Sequence, residues 1–186
     1  MKLHRSQRAF IFFQIASVLV AAAVRGGGAD YADAIWTLAD SQPVLKAAAE
    51  ITPAKFPDCD SATVEQKSVR VYRPDGTGES QDETFVKVLT EKGRRENRTL
   101  TLSFTRPYSS VAVVRLEVEK PDGAVLPVDV AANSKESIND SQMAMNIYDP
   151  NERLLRVNLP QVEIGDVIHS VIRQTTERPY IPGEYA

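Results

Sequence analysis

The stretch Thr99-Leu-Thr-Leu-Ser-Phe104 sets Leu100, Leu102 and Phe104 on one side of an extended chain and Thr99, Thr101 and Ser103 on the other. Successive side chains of a strand point to opposite faces, so this alternation predicts a strand with one buried and one wetted face, as antiparallel sheets have. Outward from it, Ala112, Val114, Leu116 and Val118 alternate with Val113, Arg115, Glu117 and Glu119, and Leu155, Val157 and Leu159 with Arg156 and Asn158. Segments 64–72, 85–89, 125–130 and 167–172 complete a set of about seven short strands. The polar stretch 133–140 reads as an exposed loop. The expected fold is an all-β, antiparallel, sandwich-like domain.

Two turns share their wording, Arg73-Pro-Asp-Gly76 and Lys120-Pro-Asp-Gly123. Proline presets φ at the second turn position, aspartate bonds its own backbone, and glycine takes the positive φ that a Cβ resists. Both read as hairpin turns, although Pro-Asp-Gly is common enough for two unrelated loops to share it. Further breaks fall at Glu91-Lys-Gly93, Asp149-Pro-Asn151 and Glu163-Ile-Gly-Asp166.

Upstream of the strands the pattern changes twice. Lys2, Arg5 and Arg8 precede an apolar run from Ala9 to Val24 broken only by Gln14 and Ser17, and small residues follow, the order that export machinery reads. Residues 1–29 are therefore expected to act as a signal peptide, cut after Ala29 or Ala23, with a retained anchor as the alternative. The run is shorter than the roughly 20 residues of a comfortable bilayer span, so no stable membrane insertion is expected after removal. Residues 30–58 form an alanine-rich helical leader, with Ser41 as N-cap, Pro43 in the first turn, and Pro53 and Pro57 ending it. Ile35, Trp36 and Leu38 are expected to dock on the chain's own body rather than on a partner. The β domain is assigned to 59–186.

Loss of Lys2, Arg5, Arg8 and Arg25 with the leader takes the formal charge from −3 to −7. Such a surface repels phosphate backbones, so nucleic acid and anionic lipid are poor candidates for partners and no nucleic-acid partner is expected. With a single cysteine, Cys59, the fold has no internal disulfide and no lipid-anchor cysteine after the apolar run.

Cysteine-type catalysis needs a thiolate, an imidazole to generate it and a group to orient that imidazole. Downstream of the export segment the chain offers one thiol and one imidazole. Cys59 lies in Pro57-Asp-Cys-Asp60, between Asp58 and Asp60, carboxylates that disfavour a thiolate. His169 lies in Val167-Ile-His-Ser-Val-Ile172 on the face it shares with Val167 and Val171, and reads as a packed or edge-facing residue. One histidine and one cysteine cannot fill a zinc shell without carboxylate help. Asp58 and Asp60 lack the dense oxygen ligands of a calcium loop. Gly26-Gly-Gly28 belongs to the export segment, and Asp75-Gly-Thr-Gly78 lacks the lysine and helix of a phosphate loop. Asn97-Arg-Thr99 and Asn139-Asp-Ser141 match the glycan sequon, a pattern short enough to arise by chance. No catalytic, cofactor-binding or metal residue is assigned.

The order of Val86-Lys-Val-Leu-Thr-Glu-Lys-Gly-Arg94, Glu117-Val-Glu-Lys-Pro-Asp-Gly123, Asn146-Ile-Tyr-Asp-Pro150, Arg153-Leu-Leu-Arg-Val-Asn-Leu-Pro160 and Val162-Glu-Ile-Gly-Asp-Val-Ile168 resembles a family of uncharacterised domains. In exported bacterial proteins that family immediately precedes a transglutaminase-like core. The resemblance implies an extracytoplasmic β-sandwich ahead of a papain-like Cys-His-Asp core, with no role of its own known. Nothing catalytic carries over, because no position here matches the core's motifs. The sequence given reaches Ala186 before the family's later strands, so segment 167–172 is expected to be left with an uncovered edge.

The function expected is that of a non-catalytic, periplasmic or extracellular interaction module with a protein or peptide partner, a transglutaminase-like core included. The alternative is a free-standing polysaccharide- or surface-ligand-binding module, for which the scattered Tyr72, Tyr108 and Tyr148 are thin support.

Overall fold

The structure, a computed structural model, describes residues 16–18, 36–141 and 149–181. Among the described residues nine strands form two sheets: β1 (Ala16–Val18), β2 (Ser61–Tyr72), β3 (Gly78–Val88), β4 (Thr99–Thr105), β5 (Ser109–Glu119), β6 (Val125–Pro127), β7 (Ser134–Ile138), β8 (Glu152–Asn158) and β9 (Val167–Thr176). The larger sheet runs β1-β2-β3-β9-β5-β6 and the smaller β4-β8-β7. All pairings are antiparallel except that of β1 with β2. Helices α1 (Ser41–Ala49), α2 (Glu91–Glu96) and α3 (Val130–Asn133) accompany them among the described residues.

The two sheets meet in one apolar layer, so the sandwich-like reading holds. Val88, Leu116, Val118 and Ile168 from the larger sheet pack with Val157, Leu159 and Val162, and Leu100 and Leu155 close the rim. The opposite face of the larger sheet is covered by the leader, where Val44 and Ala48 of α1 pack on Val64, Phe85 and Val167. The docking expected of Trp36 is met: Arg173 stands over its ring at 5.0 Å and Gln81 Nε2 donates to its carbonyl. The N-cap of α1 is Asp40, whose carboxylate accepts from the Gln42 N–H, and not Ser41. The rest of the export segment and of the helical leader expected upstream of Trp36 lies outside the described residues. Among the described residues no helix is long and apolar enough to cross a membrane.

Both Pro-Asp-Gly turns have the same geometry. Gly76 and Gly123 stand at φ 82° and 89°. Each donates to the turn's first carbonyl, while Arg73 and Lys120 donate to Thr77 and Ala124. This is the three-residue hairpin loop with a left-handed closing glycine.

Three further expectations are corrected. The polar stretch 133–140 is not a loop: α3 leads into β7, an edge strand paired with β8. The alternation from Ala112 to Val118 does not run through, because the register slips between Val113 and Arg115. Val114 is thereby turned outward, 50% exposed, while Leu116 and Val118 are buried. Segment 167–172 has no uncovered edge, since β9 lies between β3 and β5 and pairs with both along its length.

The break expected at Glu91-Lys-Gly93 is α2, capped by the Thr90 hydroxyl accepting from the Gly93 N–H. A Cβ built on Gly93 would lie 1.9 Å from the Asp60 carbonyl oxygen, which itself accepts from the Leu89 and Thr90 N–H groups. Gly123 has open space around it and only its φ to defend. Gly93→Ala is expected to lower stability by about 1–3 kcal/mol through overpacking. Gly123→Ala is expected to lose about 1–2 kcal/mol through left-handed strain alone. Urea midpoints of the two variants check both losses, and only the first is expected to perturb resonances around Asp60.

Candidate functional site

The alternation of β9 that packs Ile168 between the sheets sends His169 to the other face, beneath the leader. Its ring stacks on Phe85 of β3 with centroids 3.9 Å apart and planes 14° from parallel. Its side chain is 1% exposed. Nε2 lies 2.8 Å from Glu83 Oε1 and Nδ1 2.9 Å from Glu117 Oε1, with Glu119 Oε1 3.5 Å from the same Nδ1. A neutral imidazole offers one N–H, and two flanking carboxylates offer only lone pairs. The bonds therefore require either a doubly protonated ring or a proton on one carboxyl.

The carboxylates differ in their surroundings. Burial pushes Glu83 up, but the hydrogen bonds from His169 and from the Ala39 N–H, at 2.8 Å, outweigh it and hold Glu83 below its ordinary value. Glu83 thus ties the leader to β9, with the Lys67 ammonium donating to the Thr37 carbonyl beside it. Glu119, 3% exposed, is raised by burial, and the negative Glu117 adds to the rise against the pull of His169. Glu117 is half-buried, with the Arg115 guanidinium 3.4 Å away. Glu117, Glu119 and His169 place one possible metal-ligand atom each within 4.8 Å of one another.

Cys59 is 5% exposed, in a separate apolar pocket with Ala62 and Leu89. Asp60 is held low by Lys92, which donates to it at 2.6 Å, and by the Thr90 hydroxyl at 2.7 Å. Both its oxygens are thereby engaged, while Asp58 is exposed. His169 is packed, as its alternation predicts. Glu83, Glu117 and Glu119 are the partners that sequence reasoning missed. Glu117 and Glu119 read as the solvent face of β5, and only the strand register brings them beside the ring.

A second polar joint fixes the approach to β9. Asp166, 1% exposed, accepts from Lys120 Nζ and from the Glu163 N–H, both at 2.7 Å, and Lys120 also donates to the Gln161 carbonyl. On the surface, a cleft of about 380 Å³ opens beside Phe104, Tyr108, Asn139, Arg153 and Tyr180. Tyr108 and Tyr180 stack there at 4.1 Å. Tyr148 lies outside the described residues.

The two buried glutamates are expected to respond oppositely to substitution, which thermal melts against pH in chelator-containing buffer will check. Glu83, lowered in the fold, stabilises above the ordinary value of 4.5, and that stability is lost as pH falls through its folded value. Glu83→Gln should therefore lose about 1.5–3 kcal/mol at neutral pH, as for hydrogen bonds to a charged group, and little in acid. Glu119, raised in the fold, stabilises fully below 4.5 and loses that as pH rises through its folded value. Glu119→Gln should raise the melting point at neutral pH and leave it unchanged in acid.

Residues 74–186 match the profile of a domain of unknown function with solved structure, DUF3857. Among curated proteins, none matches the sequence. Of solved structures, a candidate protease from Parabacteroides distasonis superposes with TM-score 0.59 at 12% identity, over 66% of this chain and 24% of that one. This chain thus spans about a quarter of that protein's length, and the likeness is one of fold. A carbohydrate-binding module with flanking linkers from the cellulosomal scaffoldin of Clostridium thermocellum superposes over 65% of this chain and 77% of its own at 12% identity. Its TM-score of 0.34 carries no argument. The family match covers more than half of the chain, which belongs to the DUF3857 family of domains of unknown function.

Proposed function

We propose that the chain is a non-catalytic, exported interaction module that acts as an accessory domain to a transglutaminase-like, cysteine-peptidase-like core. The observation that carries this reading is how the two groups of cysteine chemistry are spent. The Cys59 thiol is packed against Ala62 and Leu89, and both nitrogens of His169 face carboxylates. Neither is presented to a substrate. The segments resembling the domain that precedes such cores support the core's identity, as does a fold shared with about a quarter of a longer candidate protease. The charge-then-apolar order of residues 2–24 supports export to the periplasm or beyond.

A surface-ligand module is the second reading, favoured by the cleft beside the stacked Tyr108 and Tyr180. Its ligand would be a polysaccharide or another surface component lying against the rings.

Tagged chain expressed in its native host and cross-linked in the envelope fraction separates the two. Recovery within, or joined to, a protein carrying a transglutaminase-like core supports the first reading. Recovery alone on cell-surface polysaccharide, released by Tyr108→Ala, overturns it for the second. The thiol reading has its own check: Cys59 is expected to react with a thiol reagent at least about 100-fold more slowly in the native chain than in denaturant, since labelling requires local opening.

A further inference from the structure

We propose that His169 Nδ1, Glu117 and Glu119 form a binding site for one divalent transition-metal ion of the zinc class, clamping β5 to β9 beneath the leader. The first ground is donor geometry. Zinc bonds of about 2.0–2.1 Å in a tetrahedron set ligand atoms about 3.3 Å apart. The 2.9 Å and 3.5 Å separations from Nδ1 to the two carboxylates bracket that value, and the three atoms span up to 4.8 Å, so a small side-chain rotation of one glutamate must close the set around an ion. Imidazole nitrogen and carboxylate oxygen are both zinc ligands, and Glu117, 16% exposed, is the side from which an ion and a water as fourth ligand would enter.

The second ground is the carboxylate behind the ring. Glu83 accepts at Nε2, which keeps a proton on that nitrogen and leaves Nδ1 as the ring atom facing Glu117 and Glu119, free to exchange its own proton for an ion. Metal-ligating histidines are held by this kind of outer carboxylate. The Ala39 N–H in turn fixes Glu83 through its other oxygen.

The third ground is Glu119 itself, a buried carboxylate held 3.5 Å from the Nδ1 that it would share an ion with. Three carboxylates surround one imidazole, and the Arg115 guanidinium reaches only Glu117, so Glu119 is the carboxylate with the least cationic support in a water-poor place. A divalent ion in place of the Nδ1 proton, which leaves to solvent, adds positive charge there and draws Glu117 and Glu119 onto one centre.

The test is Zn²⁺ titrated into the full chain in chelator-treated buffer, read by imidazole nitrogen NMR. With two histidines in the chain, the His169 ring is readily assigned. The expected result is one ion per chain, a shifted Nδ1 with Nε2 still protonated, and a raised melting point. Glu119→Gln should weaken binding more than about 100-fold and abolish the zinc-dependent rise in melting point, and Glu83→Gln should weaken binding about 10- to 100-fold. An unmoved His169 Nδ1 at saturating Zn²⁺ overturns the site, as does unchanged affinity in a folded Glu119→Gln chain. The ring signal of the unsubstituted chain decides by itself if a variant does not fold.

Discussion

The ladder on either side of β9 is the constraint from which the rest of the architecture follows. A strand that arrives late in sequence and lies between β3 and β5 must match two registers at once, Glu83 opposite Val171 on one side and Arg115 opposite Val171 on the other. Sliding it by one residue would exchange its faces, bringing His169 into the apolar layer and Ile168 under the leader. The β-bulge at Val114 lets β5 follow this strand while keeping Leu116 and Val118 in the core. Sandwich core, leader platform and buried imidazole are thus set by one alignment.

Much of this alignment can be read from side-chain alternation, and the failures have physical causes. The faces of β4 and β8 follow from Leu100, Leu102 and Phe104 and from Leu155 and Val157, because polar and apolar residues alternate through β4 and from Leu155 onward in β8. In β5 the run Val111-Ala-Val-Val114 is apolar on both faces, so periodicity cannot locate the slip. In β7, Ser134-Lys-Glu-Ser-Ile138 has no apolar face at all. Charged and polar residues suit an edge strand that must not recruit another chain, and they also make it look like a loop.

The candidate site divides the same way. The direction of His169 follows from its place in β9, but Glu117 and Glu83 lie 52 and 86 residues away and meet the ring only through strand pairing. Three of the segments that carry the family likeness converge at the Lys120–Asp166 joint. Val88 donates to the Asp166 carbonyl, Gly165 donates back to Val88, and Lys120 reaches Asp166 from the second Pro-Asp-Gly turn. The recurring residues there answer to backbone and charge geometry before any ligand.

The central place of β9 also orders events in time. Glu79 pairs with Thr175, and Ser109 with Thr176, so β3 and β5 wait with open edges until nearly all the described chain has been synthesised. Such non-local closure is slow compared with helix formation or hairpin closure. Emerging chain up to the second Pro-Asp-Gly turn can form its hairpins but cannot knit them into one sheet. The two hairpin halves therefore stay unjoined, and the larger sheet open at its middle, until β9 has emerged.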